Sequence, residues 1–195
     1  DIARSDTLSE IARKIASLEM LAIEETLSGI DLAIVERVIA AMDGAQRILL
    51  FGMGASSQVA GDLQQKLFRI GRSAFAPTDP HEALTAAALA GGTTLAIGFS
   101  HSGATLETVR FLEISRRSGA RTVAMTSNAG SKIADVAHEV LLTRAREASL
   151  RAGAMVSRIA QLALVDCLFL GLARLHYDDV IVALEQTRAA LEPAG

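Results

Sequence analysis

The spacing of apolar residues changes along this chain, and the changes predict its elements. The first thirty residues carry apolar side chains at helical spacing and predict an amphipathic helix that ends near Gly29. Asp31 can cap a second helix, which extends to Gly44. Residues 48–51 are then continuously apolar and are followed by glycine, which is typical of a buried strand.

Short apolar runs and amphipathic segments continue to alternate after this strand. Further strands are predicted at 74–76, 93–99, 122–125 and 139–142. Helices are predicted at 59–70, 82–89, 106–118, 133–136, 151–175 and 178–191, the fourth being a brief turn. Five strands alternating with helices indicate an α/β fold, a three-layer α/β/α arrangement around a parallel, doubly wound sheet. The first helices lead into this sheet.

One uncharged stretch is long enough to cross a bilayer. No Asp, Glu, Lys or Arg occurs between Glu82 and Glu107. Gly91, Gly92 and several hydroxyl residues interrupt the stretch, so we interpret it as helix, turn, buried strand and loop, and we expect no membrane partner.

The loop after the third predicted strand is the richest in hydroxyl side chains. Ser100, Ser102 and Thr105 supply three hydroxyls, and Gly103 permits a tight turn before a helix begins. Short donors and the positive end of a helix dipole are what a phosphate monoester needs. Ordinary helix capping is the alternative interpretation, but three hydroxyls and a glycine favour an anion site.

The loop after the first strand has the pattern Gly-x-Gly, in which Gly54 is followed by Ser56 and Ser57. Such a pattern can open a dinucleotide-binding fingerprint, and Asp79 lies about where a ribose-binding acid would fall. Ser57 stands in place of the third glycine, however. A phosphate or hydroxyl contact from Ser56 is the favoured interpretation.

Other polar residues are predicted at the same edge of the sheet, where all strand-to-helix loops meet. Residues 126–131 form either a plain turn capped by Ser131 or a further ligand-lining loop. His81 is either a contact to a sugar hydroxyl or an exposed residue at a helix start. Glu147 and Arg151 lie between the last strand and the long helix, where solvated side chains are the alternative.

Composition narrows the possible functions. Lys and Arg number 19 against 22 Asp and Glu, a net charge of −3 that does not suit direct nucleic-acid binding. The single cysteine, Cys167, excludes an internal disulfide, and the four histidines lack zinc spacing, so we expect no metal and no cofactor. No leader sequence is evident, which predicts a cytoplasmic protein.

The long helix is apolar on nearly all faces around Cys167, which indicates full burial or a subunit interface.

Taken together, these motifs resemble the sugar isomerase (SIS) domain, most closely the effector domain of RpiR-type bacterial transcriptional regulators. Ser100-x-Ser-Gly-x-Thr-x-Glu after a buried strand is similar to the SIS signature, and Gly52-x-Gly-x-Ser56 fits one unit earlier. The regulator resemblance rests on the runs 51–57, 66–71 and 157–166 and on Asp79-x-His81. It extends over nearly the whole chain.

The resemblance implies a dimer that binds a sugar phosphate. Ser56, Ser100, Ser102 and Thr105 would hold the phosphate, while His81 and Arg158 match positions that face the sugar or a neighbouring subunit. The predicted ligand-binding set is Gly54, Ser56, Ser57, His81, Ser100, Ser102, Gly103, Thr105, Glu147 and Arg158.

Regulators of this type also carry an N-terminal helix-turn-helix domain, which nothing in residues 1–30 resembles. We therefore expect 1–30 to be a connector helix, 31–195 to be the SIS domain, and DNA to be contacted only through a missing N-terminal domain.

The predicted function is that of a phosphosugar-sensing effector domain, not an enzyme. The alternative is an aldose–ketose phosphate isomerase, which needs a positioned base. One isomerase branch has a glutamate where this chain has Gln64, Gln65 and Lys66. Glu147, His81 and His101 remain candidate bases for the alternative.

Overall fold

A parallel five-stranded sheet forms the centre of the molecule, in a computed structural model that describes residues 2–145 and 154–191. The strand order is β2-β1-β3-β4-β5, and every neighbouring pair is parallel. The strands are β1 (Arg47–Gly52), β2 (Ala74–Phe75), β3 (Thr94–Phe99), β4 (Arg121–Thr126) and β5 (Glu139–Leu142). The predicted parallel, doubly wound sheet is confirmed.

Helices precede, connect and follow these strands. They are α1 (Leu8–Ser28), α2 (Leu32–Gly44), α3 (Ala55–Arg69), α4 (Pro80–Ala88), α5 (Leu106–Arg117), α6 (Lys132–Val136), α7 (Met155–Leu175) and α8 (Tyr177–Ala189). Thr7 opens α1 with a reciprocal capping box to Glu10, and Asp31 accepts two amide hydrogen bonds at the start of α2.

Alternate residues of the central strands face opposite layers of helices. Ile48 and Leu50 of β1 pack with α2, α3 and α7, whereas Leu49 and Phe51 pack with α4, α5 and α6. All four side chains are buried, because a parallel sheet is covered on both faces. The continuous apolar run at 48–51 therefore reflects burial on both sides.

The helix α4 begins two residues before its predicted start. Asp79 Oδ1 accepts hydrogen bonds from the amides of His81 and Glu82, and Pro80 occupies the first turn, where its missing amide costs nothing. The Asp79 carboxylate is thus occupied as a helix cap.

The helix α7 is buried on one side only within this chain, so the full burial that its composition allowed is wrong, and the subunit interface, which was the other alternative, stays a prediction. It packs against α1, α2 and α3, and Leu164, Leu168 and Leu172 lie on its buried side. Leu170 is 64% exposed on the other side.

Within the described residues, α7 is the one helix long and apolar enough to span a membrane. The uncharged stretch after Glu82 folds instead as α4, β3 and the connecting loops.

The chain reverses its direction of strand addition between β1 and β3. From β1 it adds β2 on one side, then returns to place β3 on the other side. In open α/β sheets, ligands bind beyond the carboxyl ends of the strands at such a reversal. The β1–α3 loop and the β3–α5 loop both lie there.

Candidate functional site

A cavity of about 330 Å³ opens at this reversal point, between the β1–α3 loop, the β3–α5 loop and the start of α7. Its volume is within the range of small-molecule sites. It is lined by Met53, Ala55, Ser56, Ser100, His101, Ser102, Thr105, Ala154, Ser157, Arg158 and Gln161. The structure therefore brings together five of the ten predicted ligand-binding residues, namely Ser56, Ser100, Ser102, Thr105 and Arg158.

The β3–α5 loop is organised by its own hydroxyls. Ser100 Oγ lies 3.0 Å from Thr105 Oγ1 and accepts a hydrogen bond from the Gly103 amide at 3.1 Å. Thr105 is the N-cap residue of α5, yet its side chain makes no capping hydrogen bond. The capping alternative for this hydroxyl therefore does not describe the structure, and no N-cap side chain occupies the first-turn amides of α5.

The β1–α3 loop presents one hydroxyl to the cavity and turns the next one away. Ser56 lines the cavity and its Oγ donates to Gln161 Oε1 at 3.4 Å. Ser57 Oγ donates to the main-chain oxygen of Gly54 at 2.7 Å, so it stabilises the turn. Gly54 has a φ of +57° and begins α3 without a side-chain cap.

The first part of α7 forms the third wall of the cavity. Arg158 was the one residue of this helix that the sequence analysis predicted to bind the ligand. Ser157 and Gln161 are 2% and 1% exposed and lie on the side of the helix that faces the sheet. Their spacing of four residues places them on one helix face, and polar side chains in an otherwise apolar helix are the signal in the sequence.

The electrostatics of the cavity favour an anion. The helices α3, α5 and α7 all begin at its wall, and none has a side-chain cap. Each helix start carries partial positive charge. Arg158 adds a full positive charge and donates from Nη1 to Gln58 Oε1 at 3.0 Å. Among the described lining residues there is no Asp or Glu.

The 126–131 loop supports the site from outside, although it was a candidate for the lining itself. The main-chain oxygen of His101 accepts hydrogen bonds from Ser127 N at 3.0 Å, Ser127 Oγ at 2.8 Å and Thr126 Oγ1 at 3.1 Å. Ser131 Oγ donates to Asn128 O at 2.6 Å, and Ser131 makes no side-chain cap. This loop therefore fixes the backbone of the β3–α5 loop.

The remaining predicted residues lie elsewhere. His81 is exposed in the first turn of α4 and does not line the cavity. Gly103 is buried beneath the β3–α5 loop. Glu147 and Arg151 lie outside the described residues.

The groups assigned to no site have structural roles. His138 Nδ1 lies 2.8 Å from Thr122 Oγ1. Burial lowers the pKa of His138, and the charges of Arg116 and Arg121 lower it further. Burial also raises the pKa of the Cys167 thiol, which agrees with a packing role rather than a nucleophilic one. Among the described residues, no three His, Cys, Asp or Glu side chains cluster as a metal site would require.

Comparison with known proteins assigns the family. The sequence model of the SIS domain matches residues 42–171, which include all five strands and most of α7. The chain belongs to the SIS domain family. The match includes every cavity-lining residue, since these lie between Met53 and Gln161.

Relatives of this SIS domain are named as regulators. A protein of Caldanaerobacter subterraneus named as an uncharacterized HTH-type transcriptional regulator is 35% identical over 190 residues, which is 97% of this chain and 67% of that protein. The NanR protein of Vibrio vulnificus, solved in complex with ManNAc-6P, has a TM-score of 0.88 and 26% identity over 95% of this chain and 70% of that chain. The expected similarity to SIS domains of transcriptional regulators is confirmed.

A third comparison concerns the fold alone. The sugar isomerase domain of an RpiR transcription factor from Sphaerobacter thermophilus has a TM-score of 0.83 at 23% identity, over 92% of this chain and 98% of that chain. Over that share of its length, this SIS domain has the same fold as the Sphaerobacter domain.

Proposed function

We propose that this SIS domain binds a sugar phosphate and serves as the effector domain of a transcriptional regulator. The observation that carries the proposal is the convergence of three helix starts without side-chain caps and five hydroxyl side chains on one cavity. A phosphate monoester has enough oxygen acceptors to use several of these donors at once, and its charge matches the helix ends.

The phosphate would lie between the two loops that flank the reversal point. Ser100, Ser102 and Thr105 would donate from one side and Ser56 from the other, with the first amides of α5 behind the phosphate. Ser102 is exposed, and its Oγ accepts from the Ala104 amide at 3.3 Å, which leaves the hydroxyl hydrogen available for a ligand. The sugar would extend toward Arg158 at the start of α7.

The relatives support both halves of the proposal. NanR was solved with ManNAc-6P, which is a phosphorylated sugar, and the Caldanaerobacter relative is named for a helix-turn-helix domain. His81 and Glu147 remain proposed contacts to the sugar or to a second subunit.

Residues 1–30 would connect this SIS domain to a DNA-binding domain in a homodimeric, cytoplasmic regulator. The helix α1 packs against α7, and Thr26 Oγ1 donates to Arg144 O at 3.1 Å while accepting from Arg144 N at 2.9 Å. A ligand would alter DNA binding by favouring one of two arrangements of the dimer. To do so, the ligand must bind one arrangement more tightly than the other.

An isomerase is the alternative, because moving a proton between adjacent carbons needs a base beside the sugar. Of the three candidate bases, His101 lines the cavity, His81 does not, and Glu147 lies outside the described residues. The described lining holds no carboxylate. Gln64 donates from Nε2 to Ala74 O at 3.4 Å, and Lys66 pairs with Asp62 and Asp166, so both are engaged elsewhere. We therefore propose binding without turnover, with His101 as the base to test if a product forms.

Phosphorus NMR distinguishes the two functions. This chain is incubated with glucose 6-phosphate, glucosamine 6-phosphate, N-acetylmannosamine 6-phosphate and arabinose 5-phosphate in turn. Broadening or displacement of one resonance without a product peak is the expected result. A product peak that grows with time would establish the isomerase instead, and unchanged spectra for all four compounds would contradict phosphosugar binding within this panel.

The Ser102→Ala variant tests the phosphate position. Removing a hydrogen bond to a charged group should weaken binding of the responding phosphosugar by about 1.5–3 kcal/mol. The measurement is titration calorimetry, with Ser118→Ala as the control. Ser118 lies at the opposite end of α5 and donates to Ala88 O at 3.2 Å. Equal affinities for both variants would refute the assignment of Ser102.

A further inference from the structure

Gln161 has an unusual position in the cavity wall. It is 1% exposed, and its Nε2 atom is buried without a hydrogen-bond partner among the described residues. A buried amide donor that has lost its water and gained no partner destabilises the protein. Leu164 and Leu168 follow on the same side of α7, so an apolar side chain would suit this place in the core better.

The other end of the same amide has one long contact. Ser56 Oγ donates its hydrogen to Gln161 Oε1 at 3.4 Å. A serine hydroxyl has a single hydrogen, so a Ser56 hydroxyl that donates to Gln161 has none left for an anion in the cavity. In this arrangement Ser56 faces the proposed phosphate with lone pairs only.

We propose that Gln161 is a positioning residue that turns the Ser56 hydroxyl toward the phosphate when the ligand binds. Rotation of the Gln161 amide by half a turn brings Nε2 against Ser56 Oγ. The amide then donates to Ser56, and the Ser56 hydroxyl donates to a phosphate oxygen. This inference rests on the proposed function, because it needs an anion beside Ser56.

The two arrangements differ in which hydrogen-bonding groups of Ser56 and Gln161 have partners. Without the anion, Ser56 has an acceptor and the amide donor is unpaired. With the anion, the amide donor, the hydroxyl and the phosphate oxygen form a continuous chain of hydrogen bonds, in which each bond polarises the next. Gln161 lies on α7 and Ser56 on α3, so the chain would join these two helices at the ligand, one turn from the contact between Arg158 and Gln58.

A double-mutant cycle on Ser56 and Gln161 tests the proposal. The responding phosphosugar of the four-compound panel is titrated into wild type, Ser56→Ala, Gln161→Met and the double variant. Ser56→Ala should weaken binding about tenfold, the value expected for one charged hydrogen bond. Gln161→Met should also weaken binding, because without the amide donor nothing holds the Ser56 hydroxyl toward the phosphate. The double variant should lose about tenfold, no more than Ser56→Ala alone, because Gln161 acts through Ser56.

Stability provides a readout that a purely structural glutamine would not give. Gln161→Met removes the unpaired donor, so its melting temperature without ligand should equal or exceed that of wild type, while its affinity falls. Gln161→Leu should behave alike and serves as a second variant if methionine packs poorly. Gln64→Met is the matched control, since Gln64 lies on α3 and contacts Ala74 outside the cavity.

Each result has one meaning. Unchanged affinity in Gln161→Met, beside a wild type that binds, overturns the role of Gln161 and leaves the proposed function standing. Losses that multiply to about a hundredfold in the double variant also overturn it, because the residues would then act independently. A wild type that binds none of the four phosphosugars overturns the proposed function and this inference with it.

Discussion

At Gly103, within the β3–α5 loop, the chain turns with a φ of +69°, and a side chain there would overlap Ser131 and come within 2.9 Å of Thr126 Oγ1. Gly103→Ala should therefore lower the free energy of unfolding by about 3 kcal/mol, the sum of left-handed strain and overpacking. Gly71→Ala is the matched control, because Gly71 at the end of α3 has a φ of +75° with open space around it and should cost about 1 kcal/mol. Urea denaturation measures both, and equal losses would show that the clash is relieved.

The sequence identifies residues whose role follows from local spacing. Ser100, Ser102 and Thr105 meet in the cavity because six residues of loop cannot separate them. Gln161 was missed as a site residue, since its importance depends on the side of α7 that meets α3. Ser57 shows the opposite limit, because nothing in its spacing reveals that its hydroxyl bonds to Gly54 O.

At the scale of elements, Glu139 connects three of them. It opens β5, accepts from Arg37 of α2 at 3.0 and 2.9 Å, and accepts from Arg121 of β4 at 2.8 Å. The hydrogen bonds from Arg37, followed by those from Arg121, lower the pKa of Glu139 although burial opposes them. Its contribution to stability is therefore present above the unfolded-state pKa and is lost as the pH falls through the lower folded-state pKa.

Glu139→Gln should reduce the unfolding free energy by about 1 kcal/mol at neutral pH, with solvent screening taken into account. The difference from wild type should shrink below about pH 4, the range in which glutamate protonates. Thermal unfolding between pH 3 and 7 measures it. Glu36→Gln, on an exposed turn of α2, should follow wild type at every pH. A constant difference across this range would contradict the role of the Glu139 charge.

The type of an element, helix or strand, was predictable where the spacing of apolar residues was regular. The ends of the elements depended instead on capping residues. The strand at 48–51 followed from its unbroken apolar run. The start of α4 at Pro80 was missed because capping by Asp79, not apolar spacing, decides it. The sequence left open whether burial within the chain or a subunit interface covers α7, because the composition of a helix does not show which neighbours cover it.

For the molecule as a whole, large apolar side chains remain exposed on the last two helices. Leu170 is 64%, Leu175 51% and Val182 52% exposed. Exposed apolar groups of this size are typical of association surfaces. We expect sedimentation velocity to show a dimer at micromolar concentration and Leu170→Asp to shift it toward monomer. Leu89→Asp, at the end of α4, should not; monomer alone at high micromolar wild type would refute the dimer.

The architecture was the most predictable level, because five strands alternating with helices leave few topologies for a parallel sheet. The same rule placed the two hydroxyl-rich loops side by side. Sequence could not place the 126–131 loop as a support of the β3–α5 loop, since hydrogen bonds across the sheet edge depend on the folded geometry.

That support has a consequence for the thermodynamics of binding. Three donors already hold the His101 carbonyl, so the conformational entropy of the β3–α5 loop is lost when the protein folds. A ligand that enters finds this half of its site preorganised and loses little affinity to loop ordering. Any rearrangement that a ligand causes would then have to arise at the other walls, in the β1–α3 loop or at the start of α7. The β3–α5 loop would act as the fixed support for it.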